Sequence, residues 1–557
     1  MVLFPLRYLW WLISSLRRSI GRPPEYVEFV LEESLPTLPD PPRPFWQRFA
    51  GRPRLSVKEL GERFEAIGRD ARIKGLVLHL RGVGMPMATL QDLREMIAKL
   101  RAAQKRVVAW APSYATGTYY LACACDEILL MPGGIVQAMG FANTGVFLAD
   151  GLARFGISAD FIQVSPYKSA ADPLTKSNMS PELREQLTWL LESQHQELVE
   201  AIADARMLDR DSARRLIDCS PYSDDVVVQE HVVDKVLSEE DLPAHLGARI
   251  GTWEQAQRKM RTPAPTLRLG RYVALIRIEG TIIDGRSGRL PVRPPIEVPL
   301  IGDDRAGDLS VVPLARQVAS DKRAAAVVLY VNSRGGSTTA SEAMRQALAV
   351  VASLKPLVVV MGPVAGSGGY DVSAPAAWIV ARPGTLTGSI GVLGGKIVTG
   401  PLWARLLFNR ETVALGEHVT MDSDERPFSE EERKIFARQI DRSYQEFLDV
   451  VARSRKMTVE ELEPIAQGKV WTGRQALERK LVDELGGLND GLKKARELAG
   501  LAESAPVLEV RGPRRTVPPL AAPAPAVGWL GYLLEGLTLL GRAPMLSVME
   551  YLPGDLT

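Results

Sequence analysis

Laid on itself with a shift of about 250 residues, this 557-residue chain meets its own pattern four times in the same order. Lys74-Gly-Leu-Val-Leu-His-Leu-Arg81 falls on Ala325-Ala-Val-Val-Leu-Tyr-Val-Asn332, and Ala115-Thr-Gly-Thr-Tyr-Tyr120 falls on Ala365-Gly-Ser-Gly-Gly-Tyr370. Pro132 and Gly140 fall on Pro383 and Gly391, and Val233-Asp234 falls on Val482-Asp483. A repeat this long is no solenoid period; it implies two related domains. The expected division is a lead-in over 1-51, a first repeat over 52-250, a linker over 251-267 around Arg261-Thr-Pro-Ala-Pro265, a second repeat over 268-500, and a tail over 501-557.

Within each repeat, apolar runs of strand length alternate with helical patterns. Val327-Val-Leu-Tyr-Val331 is followed by Ala340-Ser-Glu-Ala-Met-Arg-Gln-Ala-Leu-Ala-Val350 and then by Leu357-Val-Val-Val-Met361. That order is βαβ punctuation and predicts an α/β fold with parallel sheet. Longer polar helical stretches, 181-204 and 429-451, follow in matching places and are expected to cover or extend the sheets.

The run ending at Met361 leads into Gly362-Pro-Val-Ala-Gly-Ser-Gly-Gly-Tyr370. Small residues after a β-branched run predict a sharp strand-to-helix turn at Ser367, where backbone amides face whatever binds. A nucleophilic serine would suit that turn. The first copy has Gly117 at this position, while Lys168 of the first copy aligns with about Val419 of the second. Each copy lacks what the other has, so a site using both groups would need both copies.

Composition is that of an ordinary folded protein, 46% hydrophobic and 24% charged, and a net charge of +2 gives no electrostatic case for nucleic acid. Three cysteines are too few for a disulfide framework, and Cys123 and Cys125 sit in an apolar stretch that predicts buried thiols. The five histidines have no short metal-ligand spacing, so neither a metal nor another cofactor is expected.

The N-terminus, Met1-Val-Leu-Phe-Pro-Leu-Arg-Tyr-Leu-Trp-Trp-Leu-Ile-Ser-Ser-Leu-Arg-Arg18, is apolar and aromatic but interrupted by Arg7. It fits neither a spanning helix of roughly 20 apolar residues nor a secretory signal. Trp10 and Trp11 followed by Arg17 and Arg18 suit a helix lying at a lipid interface, with an ordinary docking helix and an atypical signal as the alternatives. Near the other end, the Pro/Ala stretch 518-525 reads as a stiff linker into the apolar segment 526-540, which would lie on lipid or cap a partner subunit.

Three further stretches bear on Ser367. Asn332-Ser-Arg-Gly-Gly-Ser337 ends a strand in two glycines whose amides could stabilise an oxyanion, although a plain turn would read the same. Gly388-Ser-Ile-Gly391 offers the Ser389 hydroxyl, a pattern that alone is more often structural. Lys168, in Pro166-Tyr-Lys-Ser-Ala170, has the weakest local signal. Most lysines are solvated charges, and one with a pKa near 10.4 needs burial before it can serve as a base at neutral pH.

Taken together, Tyr167-Lys-Ser-Ala170, Asn332-Ser-Arg-Gly-Gly-Ser337, Ala365-Gly-Ser-Gly-Gly-Tyr370 and Gly384-Thr-Leu-Thr-Gly-Ser-Ile-Gly-Val392 resemble the signal peptide peptidase A family in its long, internally duplicated form, over about residues 55-500. The resemblance implies two tandem Clp-protease and crotonase-like αβ superhelix repeats. It makes Ser367 the nucleophile, Lys168 the general base and Ser389 the hydroxyl that orients the lysine, with amides of Gly335, Gly336 and Gly368 as the oxyanion hole. It further implies a membrane-associated homotetramer at a bacterial inner membrane that hydrolyses hydrophobic peptides such as cleaved signal peptides. Arg334 stands where family members usually have proline, and Pro363 where they usually have an acidic residue. Other readings are a crotonase-like acyl-CoA enzyme, a serine/histidine hydrolase using His418, and a membrane scaffold that has lost activity.

Overall fold

The computed structural model describes residues 21-40, 54-82, 84-260, 270-288, 304-512 and 545-548, with isolated positions before residue 21. The N-terminal apolar segment therefore falls largely outside the described residues, as do the linker motif 261-265, the Pro/Ala stretch and the segment 526-540. Among the described residues no helix is long and apolar enough to cross a membrane. The described residues divide into two compact units: those up to 142 with 191-260, and 143-190 with those from 270 to 548.

The first unit is built on a six-stranded sheet. Its strands run in the order Ile250–Thr252, Tyr26–Leu31, Gly75–Leu80, Arg106–Ala111, Glu127–Leu130 and Lys235–Val236, all paired parallel. Parallel strands are covered on both faces, which is why Gly75–Leu80 is buried at every position and reads as an unbroken apolar run apart from His79. The helix Val57–Arg69 starts where Ser56 and Glu59 form a reciprocal capping box, and it buries Val57, Leu60, Phe64 and Ile67 along one face. Each such side chain fully removed from water contributes about 1.5–3 kcal/mol. Cys123 and Cys125 are buried here, and burial pushes the Cys123 thiol up to about 11; Cys219 is exposed.

The second unit repeats the plan and adds to it. Its main sheet has the order Val470–Thr472, Leu386–Gly388, Leu357–Gly366, Ala324–Ser333, Tyr272–Glu279 and Val507–Glu509. The central strands pair parallel, and Leu386–Gly388 pairs antiparallel with Val470–Thr472. A second sheet has the order Arg305–Gly307, Thr281–Ile283, Gly335–Ser337, Met545–Val548, Leu393–Val398 and Ser158–Gln163. The helix Glu430–Arg455 begins at a Ser429/Glu432 capping box and turns Phe436, Ile440, Tyr444, Phe447, Leu448 and Val451 to the core.

This division departs from the one expected from the repeat, which assigned 143-190, with Lys168, to the first domain. The strand Ser158–Gln163 pairs antiparallel with Leu393–Val398 over six residues, from Ser158 opposite Val398 to Gln163 opposite Leu393. Leu183, Leu187 and Leu190 pack in one cluster with Val364, Leu386 and Val470. Backbone pairing and apolar burial thus place this segment of the first sequence copy in the compact unit of the second.

Candidate active site

Ser367 stands where the buried strand Leu357–Gly366 stops and the short helix Gly368–Asp371 begins. Its backbone is held at φ 55°, ψ −115°, outside the regions a residue with a Cβ normally occupies. Such strain persists only where surrounding bonds over-determine it. Ser367 N–H donates to Gly388 O at 2.8 Å, and Ser367 O accepts from the amides of Tyr370 and Asp371, each at 2.9 Å. Two hydroxyls brace the neighbouring strand: Thr385 Oγ1 donates to Gly362 O at 2.9 Å and Thr387 Oγ1 to Ala365 O at 2.7 Å.

Lys168 follows the strand Ser158–Gln163 by five residues and is 1% exposed. Its Nζ lies 2.6 Å from Ser367 Oγ, 2.8 Å from Ser389 O and 2.9 Å from Ser389 Oγ. Ser367 Oγ is also 3.4 Å from Gly391 O. Three residues separated by 199 and 221 positions in sequence therefore meet in one buried cluster inside the second unit. Ser389 is itself at φ 51°, fixed by donation of its N–H to Lys469 O at 2.7 Å.

The loop Gln467-Gly468-Lys469 holds Lys168 and Ser389 in place, a role that sequence reasoning missed. Gly468 N–H donates to Ile390 O at 2.8 Å, Lys469 O binds Ser389, and Ser165 Oγ donates to Gln467 O. Gly468 itself has φ 78°, and a Cβ placed there would lie 2.7 Å from Lys168 Cβ, 2.8 Å from its Cα and 2.9 Å from its N. Only glycine lets the loop close this tightly on the lysine backbone. Behind the loop, Gln186 Oε1 accepts from Val470 N–H at 2.8 Å, and Trp189 stacks on Trp471 with ring centroids 4.9 Å apart. No local sequence signal marks Gly468, because the residue it packs against lies 300 positions earlier.

The three glycines expected to bind an oxyanion differ in what they do here. Gly335 N–H donates to Ser333 Oγ at 3.1 Å, so in this state that amide is engaged by a hydroxyl. Gly336 is paired with Ile282 on one side and with Ser547 on the other, and Gly368 opens the helix after Ser367. One turn beyond the serine, burial pushes the Asp371 carboxyl up to about 7, against the pull of Arg345. Arg345 Nε is 3.1 Å from Asp371 Oδ1.

The counterparts elsewhere carry no such cluster. Gly117 is buried in the helix Thr116–Ala122 with no side chain to offer, and Val419 is 61% exposed. His418, the histidine a serine/histidine hydrolase would need, is exposed, and the nitrogen beside Ser367 Oγ is that of Lys168.

A buried serine hydroxyl against an amine, on a strained strand-to-helix turn, is the kind of site acyl-transfer hydrolases build. The model of "Peptidase family S49" matches twice, over residues 99–256 and 349–502. "Protease 4" of Salmonella typhi is 32% identical over 454 residues, covering 78% of this chain and 70% of that protein. "Serine protease SPPA, chloroplastic" of Arabidopsis thaliana is 28% identical over 486 residues, covering 83% and 69%. Among solved structures, a ClpP1 mutant from Listeria monocytogenes is matched at 14% identity and a TM-score of 0.23, over 39% of this chain and 94% of that one. The class is that of the serine peptidases. The chain belongs to peptidase family S49 and carries the family's domain twice.

Proposed function

We propose that the protein hydrolyses peptide bonds with Ser367 as nucleophile and Lys168 as general base. The observation that carries this is the 2.6 Å contact between Lys168 Nζ and Ser367 Oγ in a cluster closed to water. A neutral amine has two N–H bonds and one lone pair. Ser389 O can only accept, and if Ser389 Oγ accepts as well, these two oxygens would use the N–H bonds. The lone pair would then face the proton of Ser367, as a general base requires. Burial disfavours the ammonium form and is the physical reason such a lysine could work near neutral pH.

The serine oxygen would attack the scissile carbonyl while its proton passes to Lys168 Nζ. Amides at Gly368 and at the Gly335-Gly336 turn would stabilise the oxyanion, which asks Gly335 to leave Ser333 Oγ. The amine would then return the proton to the leaving nitrogen, and water would release the acyl group by the same steps reversed. Ser389 would orient the lysine without touching substrate. Hydrophobic peptides such as cleaved signal peptides are the proposed substrates, with attachment to a bacterial inner membrane and assembly into a homotetramer as further proposals from the family resemblance. The chloroplastic name of one relative attaches to that protein.

The test is active-site labelling with a fluorophosphonate, together with turnover of casein or a hydrophobic peptide. Ser367→Ala and Lys168→Ala should each lower kcat by at least about 10⁴-fold with the fold intact, because nucleophile and base act as one unit. Near wild-type turnover by Ser367→Ala protein would end the assignment. Labelling of Ser367 separates a peptidase from an inactive scaffold and from an acyl-CoA enzyme.

A further inference from the structure

The helix Gly368–Asp371 that follows Ser367 is a single turn, too short to hold its own position, so its place depends on what its side chains reach. Tyr370 Oη donates to Leu481 O at 2.7 Å. Asp371 Oδ1 meets Arg345 Nε at 3.1 Å, and Arg345 also pairs with Glu342. Arg345 belongs to the helix Thr338–Leu354, which starts directly after Gly335–Ser337. The first turn of that helix is fixed to the glycine turn: Ala340 N–H donates to Ser337 Oγ at 3.2 Å and Ser341 Oγ to Ser337 O at 2.8 Å. At the other end, Asp371 N–H donates to Ser367 O at 2.9 Å. The Arg345–Asp371 pair thus closes a path from the turn carrying the nucleophile to the turn carrying candidate oxyanion amides.

Both side chains are largely removed from solvent, Arg345 at 17% and Asp371 at 12% exposed. A cavity of about 160 Å³ lies against them, lined in part by Thr338, Glu342, Glu446 and Phe447, and gives protons a route to the carboxyl. Among the described residues the charged groups around Asp371 are Arg345 and Glu342 of the helix Thr338–Leu354 and Glu446 of the helix Glu430–Arg455, itself paired with Arg442 at 3.0 Å. We propose that Asp371 and Arg345 are positioning residues, whose ion pair sets the nucleophile turn against the oxyanion turn without touching substrate. The consequence for rate rests on the peptidase reading above, whereas the coupling of the two turns does not.

The charge of the pair depends on pH. Burial pushes the Asp371 carboxyl up to about 7, against the pull of Arg345. Below that pH Asp371 is neutral and Arg345 keeps only Glu342; above it the pair is complete. With rising pH, kcat therefore gains a step that belongs to Asp371 and is separate from the ionisation of the lysine base. Displacements near 1 Å at a reacting group cost on the order of 10²-fold, so turns that drift by a few tenths of an ångström lose about tenfold.

The experiment compares the full-length wild type with Asp371→Asn, Arg345→Met and Arg345→Lys on a fluorogenic peptide across the pH range. Asparagine copies the neutral acid, so the ratio of Asp371→Asn to wild-type kcat should be near 1 at about pH 5.5 and fall to about 0.1 at about pH 8.5, with KM within about twofold. Arg345→Lys keeps the charge and should stay within about threefold of wild type. Arg345→Met should match Asp371→Asn at alkaline pH, and the two together should cost no more than either alone, because one pair is being removed. A ratio that does not change with pH, or losses that add, overturns the inference. Amide exchange at about pH 8 reads the coupling without turnover: Arg345→Met should quicken exchange at Tyr370 and Asp371, and Asp371→Asn at residues 335-337, each by at least about tenfold. Unchanged exchange at the distant turn also overturns it. Should Arg345→Met fail to fold, Asp371→Asn and Arg345→Lys decide the matter through the pH ratio. If no fluorophosphonate labels Ser367 and no peptide is cleaved, the peptidase reading fails instead, and the exchange measurement still decides whether the pair couples the two turns.

Discussion

Replacing Gly468 with alanine should cripple the enzyme without altering any group that reacts. The substitution adds one methyl group to a residue at φ 78°, a backbone conformation that costs an L-residue about 1–2 kcal/mol. The larger effect is steric. The new Cβ would stand 2.7–2.9 Å from the Cβ, Cα and N of Lys168, and two of those three atoms are backbone, so no rotamer change relieves the contact. Ordinary contact begins at 3.4 Å, so loop and lysine must separate by roughly 0.7 Å, and displacements near 1 Å at a reacting group cost on the order of 10²-fold. A loss of about 10- to 100-fold in kcat/KM follows, equivalent to about 1.4–2.7 kcal/mol of transition-state stabilisation. The assay is kcat/KM on a fluorogenic peptide beside the rate of fluorophosphonate labelling and Tm. Gly500→Ala is the control, since Gly500 has φ 60° with nothing within 4 Å of its missing Cβ. It should lose only the backbone cost of about 1–2 kcal/mol and keep full activity. A Gly468→Ala enzyme within twofold of wild type, or a Gly500→Ala enzyme equally impaired, would refute the account of Lys168 being held by this loop.

Ser389→Ala removes a hydroxyl 2.9 Å from Lys168 Nζ but leaves the Ser389 carbonyl in place. A drop of about tenfold in kcat is expected, and an unchanged rate would make Ser389 a turn residue only. Asp371 holds its proton up to about pH 7 in the folded state, against about 3.9 unfolded, so its contribution to stability is full below about pH 4 and is lost as pH rises through 7. Asp371→Asn should therefore flatten the fall in Tm between pH 4 and 8, and parallel Tm curves for the two proteins would contradict the burial argument. Gly117→Ser in a Ser367→Ala background should not label with a fluorophosphonate, because position 117 has no lysine corresponding to Lys168; stoichiometric labelling would mean that the first copy carries a site of its own.

Much of this architecture was legible in local pattern. Leu357-Val-Val-Val-Met361 reads as a strand buried on both faces because parallel sheet between helices leaves no solvent face, and that is where the strand lies. Ser429 followed by Glu432 and an apolar stripe announces the helix Glu430–Arg455 through the same capping and periodicity that form it. The sharp turn at Ser367 follows from small residues placed after such a strand. Those are properties of neighbours in sequence, and a sequence states them directly.

Tertiary structure decided the rest, because the forces involved act between residues hundreds of positions apart. Lys168 looks like any surface lysine until Ser158–Gln163 pairs with Leu393–Val398 and carries it into the second unit, where burial and three nearby oxygens change what an amine can do. Gly468 looks like a loop glycine until the backbone of Lys168 comes against it. Met545–Val548 pairs with Gly335–Ser337 and Leu393–Gly394, strands far from it in sequence. Periodicity specifies which elements form and which face is apolar, whereas the meeting of a hydroxyl and an amine depends on how those elements close on one another.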